Sequence, residues 1–466
     1  MSIAGARPAT LIERELRRVL GPDAVLSGDA PGYASDQTEG SGVHGRADAV
    51  ALPRSTDEVA AVVAWCYENE VAIVPRGGGT GFAGGAVPVE GGVVLGLERM
   101  TAVREFEPLL WRMCVEAGVR TAVVRRMARE NGLFFPPDPG AAEQSQIGGN
   151  VATNAGGPHA FKYGVTGTWV TGIEAVVPPG ETIALGGPIR KDVSGYDLRG
   201  VLIGSEGTLG VITAAWLRLL PAPEARFPVV AFFSGPGDGC AAIEAVLGSG
   251  LQPAALEYLD RGTLEAAGPA LPGGTPEGAG FMVLAEADGS AVEAVRLRAE
   301  LAAVLGEGAL EVRAPDSVSE AGDLWRWRDG VSIAVTARRG AKVSDDIVVP
   351  LERLREGIEE TLEIGRRHGL EACSWGHSGD GNLHSTFLVT PDDPADLARA
   401  QSAAEELFEL ALRLGGSVSG EHGIGWVKRS GLSRQQSAST RGLHERLKGV
   451  FDPKGLLNPG KKSPAE

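Results

Sequence analysis

The sequence predicts an α+β chain of two domains, with glycine-rich loops set between strands and no doubly wound dinucleotide fold. Three observations carry this. A formal G-x-G-x-x-G over residues 79–84 has apolar strands on both sides, at 71–74 and 93–95, where the dinucleotide fingerprint needs a helix immediately after it. At Pro221 the texture changes, and strands and helices then alternate without a phosphate loop. The chain has 466 residues, 43% hydrophobic and 22% charged, which suits two or three domains with a large core and is too apolar for disorder.

Composition also excludes function classes. A net charge of −16 argues against a nucleic-acid surface. The four cysteines, Cys66, Cys114, Cys240 and Cys373, are dispersed with no C-x-x-C pair, so the chain is not expected to carry its own iron–sulfur cluster or zinc ribbon. Unpaired cysteines suit a reducing cytosol. Residues 1–21 include a charged amphipathic segment with no apolar signal core, and no run approaches the ~20 apolar residues of a membrane span. A cytoplasmic protein is expected, and peripheral association with the inner face of a membrane is compatible with it.

In chain order, 10–20 reads as a surface helix and 33–47 as a loop. Ser55-Thr56-Asp57-Glu58 is a capping box opening a helix through Cys66. The strand at 71–74 runs straight into the glycine run 75–85, whose residues let backbone N–H groups converge on an anion, with Arg76 able to add charge. Pro136-Pro137-Asp138-Pro139-Gly140 is rigid turn chemistry, and 147–157 is small and polar throughout, suiting close backbone approach to a large ligand. A strand and turn follow at 173–181, a loop at 191–198, and 203–213 leads to a strand ending near Pro221. Beyond it, strands are expected at 226–234, 281–286 and 341–350, and helices at 238–247, 291–305, 325–336, 351–369 and 394–414. Residues 267–280 read as an exposed loop.

Three of the seven histidines lie in two short stretches, His377-Ser378-Gly379-Asp380-Gly381-Asn382-Leu383-His384 and Ser419-Gly420-Glu421-His422-Gly423. Imidazole and carboxylate together suit a divalent metal such as zinc, manganese or iron. The Gly-Asp-Gly turn is expected to bring two short strands together and aim both imidazoles at one point, with Glu421 as third ligand. The remaining imidazole can serve as a base near neutral pH.

The run 76–81, the turn 137–140, the segment 147–157, Lys162-Tyr163-Gly164 and the run 204–212 together resemble the flavin domain of the vanillyl-alcohol-oxidase (p-cresol-methylhydroxylase-type) superfamily. The branch they resemble is that of the glycolate oxidase flavin subunit, cytochrome-type D-lactate dehydrogenase and D-2-hydroxyglutarate dehydrogenase. The resemblance implies a two-part FAD-binding domain (1–221), an α+β cap or substrate domain with an antiparallel sheet (222–420) and a C-terminal segment returning to the flavin domain (421–466). It implies a cofactor site of Pro75, Arg76, Gly77, Gly78, Gly79, Thr80, Gly81, Pro137, Asp138, Gly148, Gly149, Asn150, Thr153, Asn154, Gly156, Gly157, Glu206, Gly207, Ile212 and Asn458. Some members hold flavin through a histidine in the first glycine loop; this loop has none, so noncovalent FAD is expected.

The same resemblance places His377, His384 and Glu421 at metal-ligand positions, His422 at the active-site base, and Arg328, Lys342 and Ser332 at the substrate carboxylate. The implied reaction is oxidation of a D-2-hydroxy acid to the 2-oxo acid, with electrons passed to an external quinone, cytochrome, electron-transfer flavoprotein or iron–sulfur partner subunit. A homodimer is compatible with the resemblance. Thr386 stands where hydroxyglutarate-specific members carry Asn, which favours a small monocarboxylic substrate. Two rivals use the same fold: an ether-forming alkyl-dihydroxyacetone-phosphate synthase, disfavoured because Glu421 replaces its His, and a non-catalytic electron-relay subunit, which needs neither the histidines nor Glu421. A covalent-flavin alcohol or sugar oxidase is disfavoured by the missing loop histidine.

Overall fold

The computed structural model describes residues 8–38 and 42–464, so part of the expected 33–47 loop and the first residues of the amphipathic segment lie outside the described residues. The chain divides into two compact units. The first comprises the residues up to Ala155, Val165–Pro221 and the chain from Glu421 onward; the second comprises Gly156–Gly164 and Ala222–Gly420. The nine-residue excursion Gly156–Gly164, within what the sequence suggested was one unbroken domain, packs with the second unit.

The first unit has a four-stranded sheet in the order Val25–Ser27, Ala49–Ala51, Val93–Gly96, Ile73–Arg76, the last three strands parallel. Its core gathers Ile12 and Leu16 from the helix Ala9–Leu20, Val59, Val62 and Val63 from Thr56–Glu68, and Leu457. Ser55 Oγ accepts from the Glu58 N–H at 3.2 Å, while the Glu58 carboxylate accepts from the Arg54 N–H at 2.7 Å, one residue earlier than a capping box requires. A five-stranded antiparallel sheet follows, in the order Val103–Glu107, Arg112–Glu116, Val211–Arg218, Val170–Val177, Glu181–Gly186. The outer edge of Ile73–Arg76 is covered from far along the chain. The Ile73 N–H donates to Leu456 O at 2.8 Å, and the Asn458 N–H donates to Ile73 O at 2.7 Å.

The second unit is built on a seven-stranded antiparallel sheet in the order Glu311–Arg313, Ala225–Phe233, Phe281–Gly289, Ala255–Asp260, Glu371–His377, Asn382–Val389, Ala341–Val348. Because side chains alternate across a strand, Phe232, Leu259, Leu284, Trp375 and Leu388 share one face. That face packs against Leu264, Leu324, Trp327 and Val331. The helix expected over 325–336 is two helices, Val318–Asp329 and Val331–Ala337, hinged at Gly330. The Gly156–Gly164 excursion is bound to the sheet by charge: His159 Nε2 lies 2.8 Å from Glu286 Oε1, and Lys162 and the Tyr163 hydroxyl both reach the Asp288 carboxylate. No helix among the described residues is long and apolar enough to cross a membrane.

Asp260 ends the central strand and caps the helix Arg261–Ala267, accepting from the Thr263 N–H at 2.8 Å and from the Ser374 N–H at 2.9 Å. Burial pushes its pKa up from 3.8 to about 6 in spite of those hydrogen bonds. The folded chain therefore holds this proton where the unfolded chain has lost it, and stability falls as pH rises through that window. Urea midpoints at about pH 4.5 and about pH 7.5 should show this slope in the parent and a smaller one in Asp260→Asn, whatever that variant's constant offset. Equal slopes would assign the pH dependence elsewhere.

Candidate functional site

The second unit brings the two expected histidines together on the sheet face that carries its core. His377 ends one strand of a hairpin and His384 lies in the next, Trp375 pairing with His384 and His377 with Asn382. The two imidazoles are thus diagonal neighbours on one face. Their Nε2 atoms are 3.4 Å apart, with the rings nearly perpendicular at 88°. Gly381 closes the turn at φ 75°, where a Cβ would sit 2.1 Å from Val349 O, so only glycine fits.

Glu257, which does not stand out in the sequence, lies directly across from His377 on the central strand and is fully buried. Its Oε1 is 2.6 Å from His377 Nδ1, and its Oε2 accepts from Arg328 Nε at 2.9 Å and from a second Arg328 nitrogen. Burial alone would raise the carboxyl pKa, but the neighbouring His377 and Arg328 hold it low. With Oε2 taken by the Arg328 guanidinium, Oε1 is the acceptor for an N–H on His377 Nδ1, and a neutral ring donating there keeps its lone pair on Nε2, away from Glu257. Arg328 arrives from the helix Val318–Asp329, whose Leu324 and Trp327 anchor it in the core.

Lys342 also lies on this face, paired in register with Leu388. Its Nζ bonds the Ser332 carbonyl at 3.0 Å and the Ser332 hydroxyl, and sits 5.3 Å from the centre of the Trp375 ring. Arg328, Lys342 and Ser332 thus come from three separate elements, with Lys342 and Ser332 in contact. A second buried carboxylate, Asp346, pairs in register with His384 and accepts from the Ser419 hydroxyl at 3.2 Å and the Gly420 N–H at 2.7 Å. That grip fixes Ser419 and Gly420, the last residues of the unit. One ligand atom from each of His377, His384 and Glu421 lies within 4.8 Å of the other two.

In the first unit, His422 packs its ring against Phe82 of the glycine loop, centroids 4.7 Å apart. The expected cofactor segments meet backbone to backbone: a Cβ on Gly77 would lie 3.3 Å from Gly149 Cα, and one on Gly78 would lie 2.3 Å from Gln144 O. Residues 147–153, which the sequence marks only as small and polar, form the helix Ile147–Thr153 in spite of Gly148 and Gly149. Gly148 is required there by packing, since a Cβ would meet that of Ala117 at 2.6 Å.

Several polar side chains of the expected cofactor set are committed to this scaffold. Arg76, expected to add charge for an anion, is buried and donates to the carbonyls of Gly32, Ser35 and Ala86. Asn150 bonds Thr121, Thr153 bonds the Gly149 carbonyl and Asn154 accepts from the Gly167 N–H. Glu206 accepts from the Ile424 and Gly425 N–H groups and from Lys462, and the Asn458 amide bridges the carbonyls of Gly85 and Glu206. Pro137 is buried and Asp138 half-buried beside it in sequence, Gly207 turns at φ 71°, and Ile212 is in the core.

Both implied groups fit the donors present. Two nitrogens bound at about 2.0–2.1 Å in tetrahedral geometry lie about 3.3 Å apart, close to the observed 3.4 Å. In the first unit, Gln146 Oε1 and Ser205 Oγ are buried without a hydrogen-bond partner, one at the N-cap of the 147–153 helix and the other next to Glu206 in sequence. Such atoms call for a polar ligand.

Comparison with known proteins identifies the family. Residues 222–462 match the family described as FAD linked oxidases, C-terminal domain, and residues 47–186 match an FAD binding domain. The chain belongs to the FAD-linked oxidases. It is 34% identical over 451 residues to the glycolate oxidase subunit GlcD of Bacillus subtilis (strain 168), covering 97% of this chain and 96% of that one. It is also 34% identical to a D-lactate dehydrogenase of Anaerostipes hadrus, covering 95% of each. A crystal structure of p-cresol methylhydroxylase with substrate bound superposes with a TM-score of 0.82 at 17% identity, covering 99% of this chain and 98% of that one. This FAD-linked oxidase therefore has the p-cresol-methylhydroxylase-type fold, and it is an FAD-binding oxidoreductase.

Proposed function

We propose that this FAD-linked oxidase converts a small D-2-hydroxy acid, of the glycolate or D-lactate type, to the 2-oxo acid, with a divalent metal held by His377, His384 and Glu421. The observation that carries the reading is the buried imidazole pair with Nε2 atoms 3.4 Å apart, one ring backed by an ionised carboxylate. Noncovalently bound FAD supplies N5 as hydride acceptor, and the metal supplies a Lewis acid that favours the ionised hydroxyl. Arg328 and Lys342, on the same side of the sheet, bind the substrate carboxylate by charge-assisted hydrogen bonds, with Ser332 holding the lysine in place. His422 accepts the hydroxyl proton as the Cα hydride leaves, so the substrate gives up one proton and one hydride, the latter carrying both electrons. The two electrons pass on to an external acceptor: a quinone, a cytochrome, an electron-transfer flavoprotein or an iron–sulfur partner subunit.

The relatives do not decide the number of substrate carboxylates, since a D-2-hydroxyglutarate dehydrogenase 37% identical over 424 residues stands beside the glycolate oxidase subunit and the D-lactate dehydrogenase. One point supports a monocarboxylic substrate. Thr386 is fully buried with its hydroxyl 2.7 Å from that of Ser344, an arrangement with no amide to receive a second carboxylate. The test is anaerobic bleaching of the flavin band near ~450 nm with D and L 2-hydroxy acids, with and without chelator. Bleaching by D-lactate or glycolate that chelator abolishes is the expected result. A yellow protein that no 2-hydroxy acid reduces would overturn the assignment, and bleaching indifferent to chelator would remove the metal from it.

A further inference from the structure

We infer that Glu257 is a positioning residue that sets which nitrogen of His377 faces the metal position and, through its second oxygen, ties that imidazole to Arg328. The inference rests on the metal reading of His377 and His384 and adds a residue to it. The two carboxylate oxygens act separately. Oε1 takes His377 Nδ1 at 2.6 Å, and Oε2 takes the Arg328 guanidinium. The strand register makes this arrangement obligatory, because Glu257 and His377 are direct cross-strand partners in the interior of the sheet.

Three physical consequences follow. A neutral imidazole has one N–H, and an acceptor fixed at Nδ1 leaves Nε2 as the lone pair, on the side where His384 Nε2 lies. A carboxylate behind the ring also raises the basicity of that lone pair, which strengthens its bond to a cation, typically by 10–100-fold in affinity. The same carboxylate balances the Arg328 charge in an interior where neither could be buried alone. The metal position and the arginine proposed for the substrate carboxylate therefore share one buried anion. A change at Arg328 is felt at His377 through Glu257.

The experiment uses full-length protein carrying FAD, in the parent, in Glu257→Gln and in the double variant Glu257→Leu/Arg328→Met. The double variant removes both charges, so burial stays neutral and the test survives even if the single variant fails to fold. The dissociation constant for Zn²⁺ or Mn²⁺ is measured by equilibrium dialysis of chelator-treated protein, with FAD content and thermal midpoint as controls on folding. Long-range ¹⁵N–¹H spectra of histidine-labelled protein, assigned with His377→Gln, report the His377 tautomer with no metal present.

The expected result is a 10–100-fold weaker metal in both variants, together with loss of the pure Nδ1–H signature in the double variant. A double variant that folds as the parent does and binds metal within threefold of it would overturn the inference. So would a parent whose His377 carries its proton on Nε2. A parent that shows the Nδ1–H tautomer but binds no metal would overturn the metal reading and leave Glu257 as the residue that sets the tautomer alone.

Discussion

His422→Ala lowers kcat/KM for the hydroxy acid by roughly 10²–10⁴-fold, the usual contribution of a positioned general base. FAD content should stay at the parent's level, because His422 follows Glu421 in a segment held by Glu206 through the Ile424 and Gly425 N–H groups, which the substitution leaves intact. The ring's neighbour is Phe82, so truncation opens a space large enough for a small base beside the glycine loop. Added imidazole should then restore part of the rate, while dithionite reduction of the flavin is unchanged. Stopped-flow reduction under anaerobic conditions measures both. A variant reduced by substrate at near the parental rate would show that the hydroxyl proton leaves by another route.

Arg328→Met destabilises the protein by about 3–5 kcal/mol, the cost of stranding one half of a buried ion pair. Glu257 is fully buried, and Arg328 supplies two of its hydrogen bonds. Removing the guanidinium leaves an anion in the middle of a seven-stranded sheet with His377 beside it and no fixed positive charge to balance it. Arg328→Lys should recover part of the loss, since an ammonium restores the charge without the fork of parallel donors. Lys342→Met is the contrast. Lys342 is half-buried and bonded to Ser332, so its loss should cost about 1 kcal/mol or less while raising KM for the hydroxy acid. Urea unfolding of the three variants beside the parent separates the cases. A stability loss at Arg328→Met no larger than at Lys342→Met would mean that Glu257 finds other compensation.

What could be read from the sequence was the local part of the site. The His377 and His384 pairing was visible because the turn that joins their strands lies between them and carries its own glycine signal at Gly379 and Gly381. The strand Phe281–Gly289 and the helix Ala291–Gly306 were visible as an apolar and an amphipathic stretch, placed at 281–286 and 291–305. Glu257 was not visible because its partners, Arg328 and His377, stand 71 and 120 residues away. The signal available was an acidic residue at the inward position of Ala255-Leu256-Glu257-Tyr258-Leu259, a stretch otherwise apolar up to the strand's last residue, Asp260. An inward carboxylate requires a buried cation or imidazole somewhere, though nothing local says which. The Ile147–Thr153 helix was hidden for the opposite reason. Its glycines lower intrinsic helix propensity, and the contact that demands Gly148 comes from Ala117, outside the helix. The Gly156–Gly164 excursion was hidden because Glu286 and Asp288, which bind its His159, Lys162 and Tyr163, follow more than a hundred residues later.

The closure of the strand Ile73–Arg76 by Leu456, Leu457 and Asn458 ties the first unit to the order of synthesis. On the ribosome, that strand emerges early and must wait for nearly the whole chain before its outer edge is covered. Domains otherwise tend to fold from the N-terminus as they appear. During that interval the nascent protein presents an open parallel edge, the kind of surface on which chains join one another. A message broken before the codon for Leu456 would yield a polypeptide that keeps every candidate site residue except Asn458 yet cannot close its first sheet. Translation defects near the 3′ end should therefore be met as aggregation and chaperone engagement before they are met as lost turnover.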